Sequence, residues 1–208
     1  MKRLTKPDLC ELIAEQAEGK ARFVVAIAGA PGSGKSTLSE ELAAQFPDAA
    51  VLPMDGFHLD NAELRQMGLL HRKGAPETFD AEGFTDVVRS LRNEGDIAYP
   101  TFERSRDKTI PNGGQLSDAV RIVFVEGNYL LLDSPPWNTL VSEFDLTISL
   151  EVPLNVLEER LVKRWLDQGM SRERAAARAA ENDLRNANLA IEQSVAPHVI
   201  LSANDDLP

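Results

Sequence analysis

Gly29-Ala30-Pro31-Gly32-Ser33-Gly34-Lys35-Ser36 fits the pattern G-x-x-x-x-G-K-[ST], and its neighbours fix how it must be used. Six apolar residues, Phe23 to Ala28, lead into it, and a helical pattern over Ser36 to Phe46 leads out. A strand that turns through glycines into a helix aims successive backbone N–H groups inward, while the helix N-terminus adds the positive end of its dipole. That cradle suits phosphate oxygens. Lys35 would place a compact charge near the outer phosphates, the Ser36 hydroxyl can reach a Mg²⁺ ion, and Thr37 continues the first turn.

The rest of the chain supplies the sheet such a loop needs. Phe23 to Ala28, Ala50 to Met54, Ile122 to Val125, Leu146 to Leu150 and Val199 to Leu201 are short apolar runs, most of them continuous. Continuous apolar strands belong to parallel sheets covered on both faces. Pro53 cannot donate to a ladder, so the second run ends early or lies near an edge. Helical patterns fill the gaps: Thr5 with Asp8 opens one through about Ala17, and Ala81 to Glu94 and Leu154 to Asp167 follow. The expected fold is therefore α/β, a three-layer P-loop NTPase arrangement. It has a five-stranded, mainly parallel sheet, helices on both faces and right-handed crossovers. Its 208 residues suit one domain, 1–208, with an irregular excursion over about 95–116 that reads as a hairpin.

Charge narrows the ligand. With 22 Lys+Arg against 33 Asp+Glu, the formal charge is −11. A field of that sign repels nucleic acid and anionic lipid, so neither is expected as a partner. A small phosphate bound by a few local donors is not excluded. Cys10 is the single cysteine and can form no disulfide within the chain. Met1-Lys2-Arg3 is followed by polar residues rather than an apolar run, and no run approaches the ~20 residues of a spanning helix. A cytoplasmic protein is expected. Trp137 among Pro135, Pro136 and Leu140 forms either an exposed apolar patch or a packed loop; the oligomeric state is open, a homodimer included.

A phosphate loop does not choose the reaction. No N-K-x-D occurs, which argues against a GTPase. A small-molecule kinase needs a carboxylate for the acceptor and a mobile lid bearing arginines. Asp55, directly after the second strand, is placed to accept the proton of an acceptor hydroxyl. His58 either lines the acceptor pocket or makes a structural hydrogen bond. Glu126 ends the third strand, where it could hold a Mg²⁺-bound water or orient the acceptor. Arg160 and Arg164 share a helix face and would contact phosphate or adenine and close over the transferring group, in a lid over about 160–185.

On these stations the chain resembles the P-loop kinases that include uridine kinase, bacterial pantothenate kinase and phosphoribulokinase. The carriers are Gly29 to Thr37, Asp55-Gly56-Phe57-His58, Lys73-Gly74-Ala75-Pro76-Glu77-Thr78-Phe79-Asp80, Val125-Glu126-Gly127-Asn128-Tyr129, and Arg160 with Arg164. It is similar, too, to a compact subgroup labelled nucleoside/nucleotide kinase-like or fructose-transport-system kinase. The resemblance implies ATP and Mg²⁺, with Asp55 as general base. It implies an acceptor-gripping excursion through Tyr99-Pro100-Thr101-Phe102-Glu103-Arg104-Ser105-Arg106. Uridine kinases carry tyrosine and histidine there, so uridine itself is not the expected acceptor. Arg104 and Arg106 would favour an acceptor bearing phosphate or carboxylate, or are ordinary surface charges. By analogy, Asn204 after the last strand would contact adenine. The expectation is an ATP-dependent kinase acting on a hydroxyl of a small metabolite. The alternative is an ATP-binding regulatory or assembly protein with no small acceptor.

Overall fold

In the computed structural model, which describes residues 1–202, the chain runs β1 (Lys2–Arg3), α1 (Lys6–Ala17), β2 (Phe23–Gly29), α2 (Lys35–Ala43) and β3 (Ala49–Pro53). It continues through α3 (Asn61–Gln66), α4 (Ala81–Ser90), β4 (Ile97–Glu103), β5 (Lys108–Leu116), β6 (Ile122–Gly127) and β7 (Leu146–Glu151). The last elements are α5 (Leu154–Asp167), α6 (Arg172–Arg178), a π-helical turn (Ala179–Asp183), α7 (Leu184–Glu192) and β8 (Val199–Ser202). The main sheet has the order β1-β8-β7-β2-β6-β3, and every pairing in it is parallel. The five expected strands are all present; the sheet has six because Lys2–Arg3 pairs with Val199 and Ile200. Two polar residues carry no strand signature. Side chains secure this one, with Arg3 donating to Ser202 Oγ and Glu151 Oε2 at 2.9 Å each.

The continuous apolar strands have the predicted cause. Along β2, Val24 and Ala26 join the core under α4, with Phe84 and Val88. Val25 and Ile27 join the core under α1, α2 and α5, with Leu9, Ile13, Leu38, Leu42, Leu157 and Leu161. With helices on both faces, every residue of the strand is buried. Helix starts follow local chemistry. Thr5 and Asp8 form the capping box of α1, and the Asp80 carboxylate accepts from Gly83 N at 2.9 Å to open α4. Two helices stop short of the expected ends, α2 at Ala43 and α4 at Ser90. Trp137 is 2% exposed, with ring centroids 5.6 Å from Tyr129 and 6.0 Å from Phe79. It belongs to a packed loop, so it offers no patch for a homodimer.

The excursion is a two-stranded antiparallel hairpin, β4–β5, whose register breaks between Tyr99 and Thr101 at Pro100. It docks beside β3, the edge strand, where the missing N–H of Pro53 is tolerated. Tyr99 OH donates to Val51 O at 3.4 Å. Gly56 makes the close approach possible, since a Cβ there would collide with the Pro100 carbonyl. Gly56→Ala is therefore expected to cost roughly 1–3 kcal/mol, as overpacked sites do. Urea denaturation would read this as a lowered midpoint; an unchanged midpoint would refute the close docking.

Candidate active site

The three strands β2, β6 and β3 lie side by side, and each delivers one functional group at its carboxyl end. In register, Ile27 and Pro53 both pair with Glu126, so the loop after β2, the Glu126 carboxylate and the turn holding Asp55 converge on one crevice. That is where open α/β sheets take their ligands.

The loop is built as a cradle. Gly32 and Gly34 adopt φ of 81° and 94°, the left-handed region that admits glycine at little cost. Gly34 is the N-cap of α2 and provides no side-chain cap, so the N–H groups of the first turn stay available. The Ser33 hydroxyl is buried with no hydrogen-bond partner, and a Cβ at Gly29 would lie 2.6 Å from it. An unmet buried hydroxyl costs about 1–3 kcal/mol, and a phosphate oxygen in the cradle would supply the missing partner. The residues fit a bound polyphosphate.

The carboxylates differ in environment. Asp55 sits in a 3₁₀ turn, Met54–Phe57, immediately after β3. Burial raises its proton affinity, but the positive fields of His58, Lys35 and Arg104 prevail and hold the carboxyl below its ordinary value. Arg104 Nη2 donates to Asp55 Oδ2 at 3.0 Å. Glu126 is buried and shifts the other way: burial lifts it, the Asp55 charge adds to that, and Lys35 and the Ser36 hydrogen bond only partly oppose. Ser36 Oγ donates to Glu126 Oε1 at 3.2 Å. Two neighbouring carboxyls pushed apart in this way are a sign of divided roles. Among the described residues, no group of three or more His, Cys, Asp or Glu could hold a metal. A hydroxyl with one carboxylate is nevertheless a fitting partial shell for Mg²⁺, which takes its other ligands from phosphates and water.

His58 is packed more than it is displayed. Its ring lies 4.1 Å from Phe79 and 4.7 Å from Phe102, centroid to centroid. Its Nδ1 lies 2.8 Å from the Asp55 carbonyl, which only accepts, so the proton is on Nδ1 and this bond braces the Asp55 turn. Burial, outweighing Asp55, keeps the ring's proton affinity below the ordinary value. The lasting positive neighbours of Asp55 at neutral pH are then Lys35 and Arg104.

The two helix arginines part company. Arg160 Nη1 donates to Gly32 O at 3.3 Å and Ser33 O at 3.2 Å, bracing the loop from outside. Arg164 is exposed, its guanidinium 5.7 Å from the Trp165 ring, with that of Arg178 at 5.3 Å. Tyr99 is directed to β3 rather than to Asp55, and Asn204 lies outside the described residues. A cleft of about 620 Å³ over β7 and β8 is lined by Asn128, Ser149, Glu151 and Ser202 and reaches Gly29 and Ala30 of the loop, but not Lys35, Asp55 or Glu126.

Residues 24–186 match the model of the Phosphoribulokinase / Uridine kinase family. The chain belongs to this family. It is 37% identical over 191 residues to YggC of Escherichia coli (strain K12), covering 89% of this chain and 79% of that one. It is 31% identical over 194 residues to C227.14 of Schizosaccharomyces pombe (strain 972 / ATCC 24843), provisionally named a uridine kinase; that match covers 86% and 83%. A crystal structure from Silicibacter sp. TM1040, provisionally named a fructose transport system kinase, superposes with a TM-score of 0.91 at 46% identity, covering 95% and 98%. The family of P-loop kinases, read from the motifs, is thus the chain's own. No helix among the described residues is long and apolar enough to cross a membrane.

Other contacts around the site were not foreseen from the sequence. Lys73 Nζ donates to Asp107 Oδ1 at 2.9 Å and to Asn61 Oδ1 at 2.7 Å, fastening the tip of the hairpin to α3. Arg72 donates to Asn182 Oδ1 at 2.6 Å and to Asn186 Oδ1 at 3.2 Å; Asn182 returns a bond to Lys73 O at 2.9 Å. Arg178 donates to His71 O, and Tyr129 OH to Gly74 O. The segment with the kinase-like K-G-A-P-E-T-F-D run is therefore the joint between the arginine-rich helices and the tip of the hairpin. Asn182 lies in the π-helical turn, a feature that recurs at functional sites.

Proposed function

We propose that this protein is a Mg²⁺- and ATP-dependent kinase that transfers the γ-phosphoryl group to a hydroxyl of a small metabolite: a sugar, a nucleoside or a pantothenate-like alcohol. The observation that carries it is the convergence of Asp55 and Glu126, from adjacent strand ends, on Lys35 and the loop. A protein that only binds nucleotide has no use for a depressed carboxylate there. The loop N–H groups, Lys35 and the Ser33 hydroxyl hold the phosphates, and Arg160 keeps the loop in shape. Ser36 and Glu126 would hold the Mg²⁺ ion, which when bound supplies positive charge against the outer phosphates. Asp55 orients the acceptor hydroxyl. As its oxygen bonds to the γ-phosphorus, the bond to the bridging oxygen breaks, ADP departs and Asp55 takes the proton. A weak base suffices because a loose transition state asks little proton transfer before bond cleavage. The segment over about 160–185 acts as the lid, with Arg164 and Arg178 carried by α5 and α6.

An ADP-release assay over sugars, nucleosides and pantothenate tests this. Acceptor-stimulated turnover is expected, well above hydrolysis in water alone. Slow hydrolysis that no acceptor stimulates would instead fit an ATP-dependent regulatory or assembly protein.

A further inference from the structure

Among the described residues, Arg104 stands at the mouth of the site with most of its donors unspent. Lys73 is spent on Asp107 and Asn61, and Arg106 pairs with Glu103 at 3.3 Å. Lys35 belongs to the phosphate loop. Arg104 carries five N–H donors, and Asp55 takes one of them. Its side chain is 66% exposed and that of Asp55 31%, so the pair is a solvent-screened one, readily exchanged for a better partner.

Yet its position is not casual. The turn that presents Arg104 is fastened by Asp107, a non-glycine residue at φ 49°, which accepts from Asn61 Nδ2 at 2.6 Å and Lys73 Nζ at 2.9 Å. Lys73 is 11% exposed and lies 5.0 Å from the Phe102 ring centroid. Thr109 Oγ1 ties the second strand of the hairpin to His58 O at 2.8 Å. A left-handed aspartate persists only where its surroundings over-determine it. Here Asn61 and Lys73 do so, and the turn they hold presents the Arg104 guanidinium beside the Asp55 carboxylate.

Building on the kinase reading above, we propose that the acceptor is an anionic alcohol whose carboxylate or phosphate is gripped by Arg104, close to the hydroxyl served by Asp55. One guanidinium reaches both groups, so the reacting oxygen and the anion lie on the order of 5–7 Å apart by ordinary hydrogen-bond lengths. That selects short hydroxy acids, sugar acids or small polyol phosphates. On binding, the anion engages the free donors of Arg104 bidentately, and Asp55, whose Oδ2 accepts from Arg104, turns its other oxygen to the hydroxyl. The transfer is as described above, and the anionic group passes through it unchanged. A chain of net charge −11 needs such a local cation to admit a negative acceptor.

The test is ADP release at saturating ATP with two matched sets: glycerol, glycerate and glycerol 3-phosphate; ribose, ribonate and ribose 5-phosphate. At least one anionic member is expected to exceed its neutral parent tenfold or more in kcat/KM, and which anion is used separates carboxylate from phosphate. Arg104→Gln should raise KM for that anion by about 10–100-fold, the worth of a hydrogen bond to a charged group. KM for the neutral parent should rise several-fold less, whereas any change in kcat from the lost Asp55 partner should be common to both. Arg104→Lys should restore part of the loss. Neutral parents used as well as their anions, or a KM rise equal for both, would overturn the proposal while leaving the kinase in place. Wild-type ADP release that no acceptor raises would overturn the kinase reading itself.

Discussion

Asp55→Asn is expected to lower kcat by about 10²–10⁴-fold, the usual worth of a positioned proton acceptor, with the Kd for ATP essentially unchanged. The amide is isosteric and can still accept from Arg104, so the turn, the hairpin and the loop keep their places. What it cannot do is take a proton. Single-turnover ADP formation would show the loss, and titration with a fluorescent ATP analogue would show intact binding. An Asp55→Asn enzyme turning over at the wild-type rate would end the assignment. The pH profile sharpens it. The Asp55 carboxyl is held below its ordinary value of about 3.9, so it stays ionised through weak acid. Glu126 is lifted above its ordinary value, so on acidification it is protonated first. The acid limb of kcat/KM should therefore lie above the ordinary glutamate range of about 4.3 and report Glu126, not the base. A limb at the ordinary aspartate value would contradict this division.

Much of this geometry was legible in the chain, for reasons that also mark where legibility stops. Phe23 to Ala28 had to be a strand buried on both faces, and the glycine pattern after it had to open a helix. Asp55 and Glu126 followed, because a carboxylate ending an apolar strand is delivered to the same edge of a parallel sheet. Position along the chain is enough for that. It is not enough for side-chain partners. Arg160 and Arg164 share a face at four-residue spacing, but four residues are about 6 Å along the axis. The first reaches the loop carbonyls, and the second reaches Trp165 instead. Tyr99, assigned to the acceptor by resemblance, directs its hydroxyl to β3 because the register break at Pro100 sets its side of the hairpin. Lys73 with Asp107, and Arg72 with Asn182, are pairs 34 and 110 positions apart. No local period announces them. They decide where the hairpin tip and the arginine-rich helices stand, so the acceptor side was the least readable part of the site.

Lys35 gives the other large effect, and it should appear in two places at once. Lys35→Met removes the only side-chain charge that the loop aims at the outer phosphates. A single preorganised donor of this kind is worth about 10²–10³-fold in turnover. ATP binding should weaken too, because on the proposed reading Lys35 would touch phosphate in the ground state as well as in transfer. The second effect needs no nucleotide. The Lys35 charge lowers the proton affinity of both Asp55 and Glu126. Without it both carboxyls should titrate at higher pH than in the wild type. Glu126, buried and accepting from Ser36, keeps only the field of Arg104 among the described residues, whereas Asp55 keeps both that field and a direct hydrogen bond from Arg104. Carbon-detected NMR titration of the two carboxyls in the nucleotide-free protein measures this directly. Upward movement of both, larger at Glu126, is the expected result. If neither moves, Lys35 does not share a crevice with the two carboxylates, and a lost turnover could then be ascribed to phosphate binding alone. If both move, one lysine connects the phosphate loop to the proton acceptor and to the proposed Mg²⁺ ligand, which is the coupling a phosphoryl transfer requires.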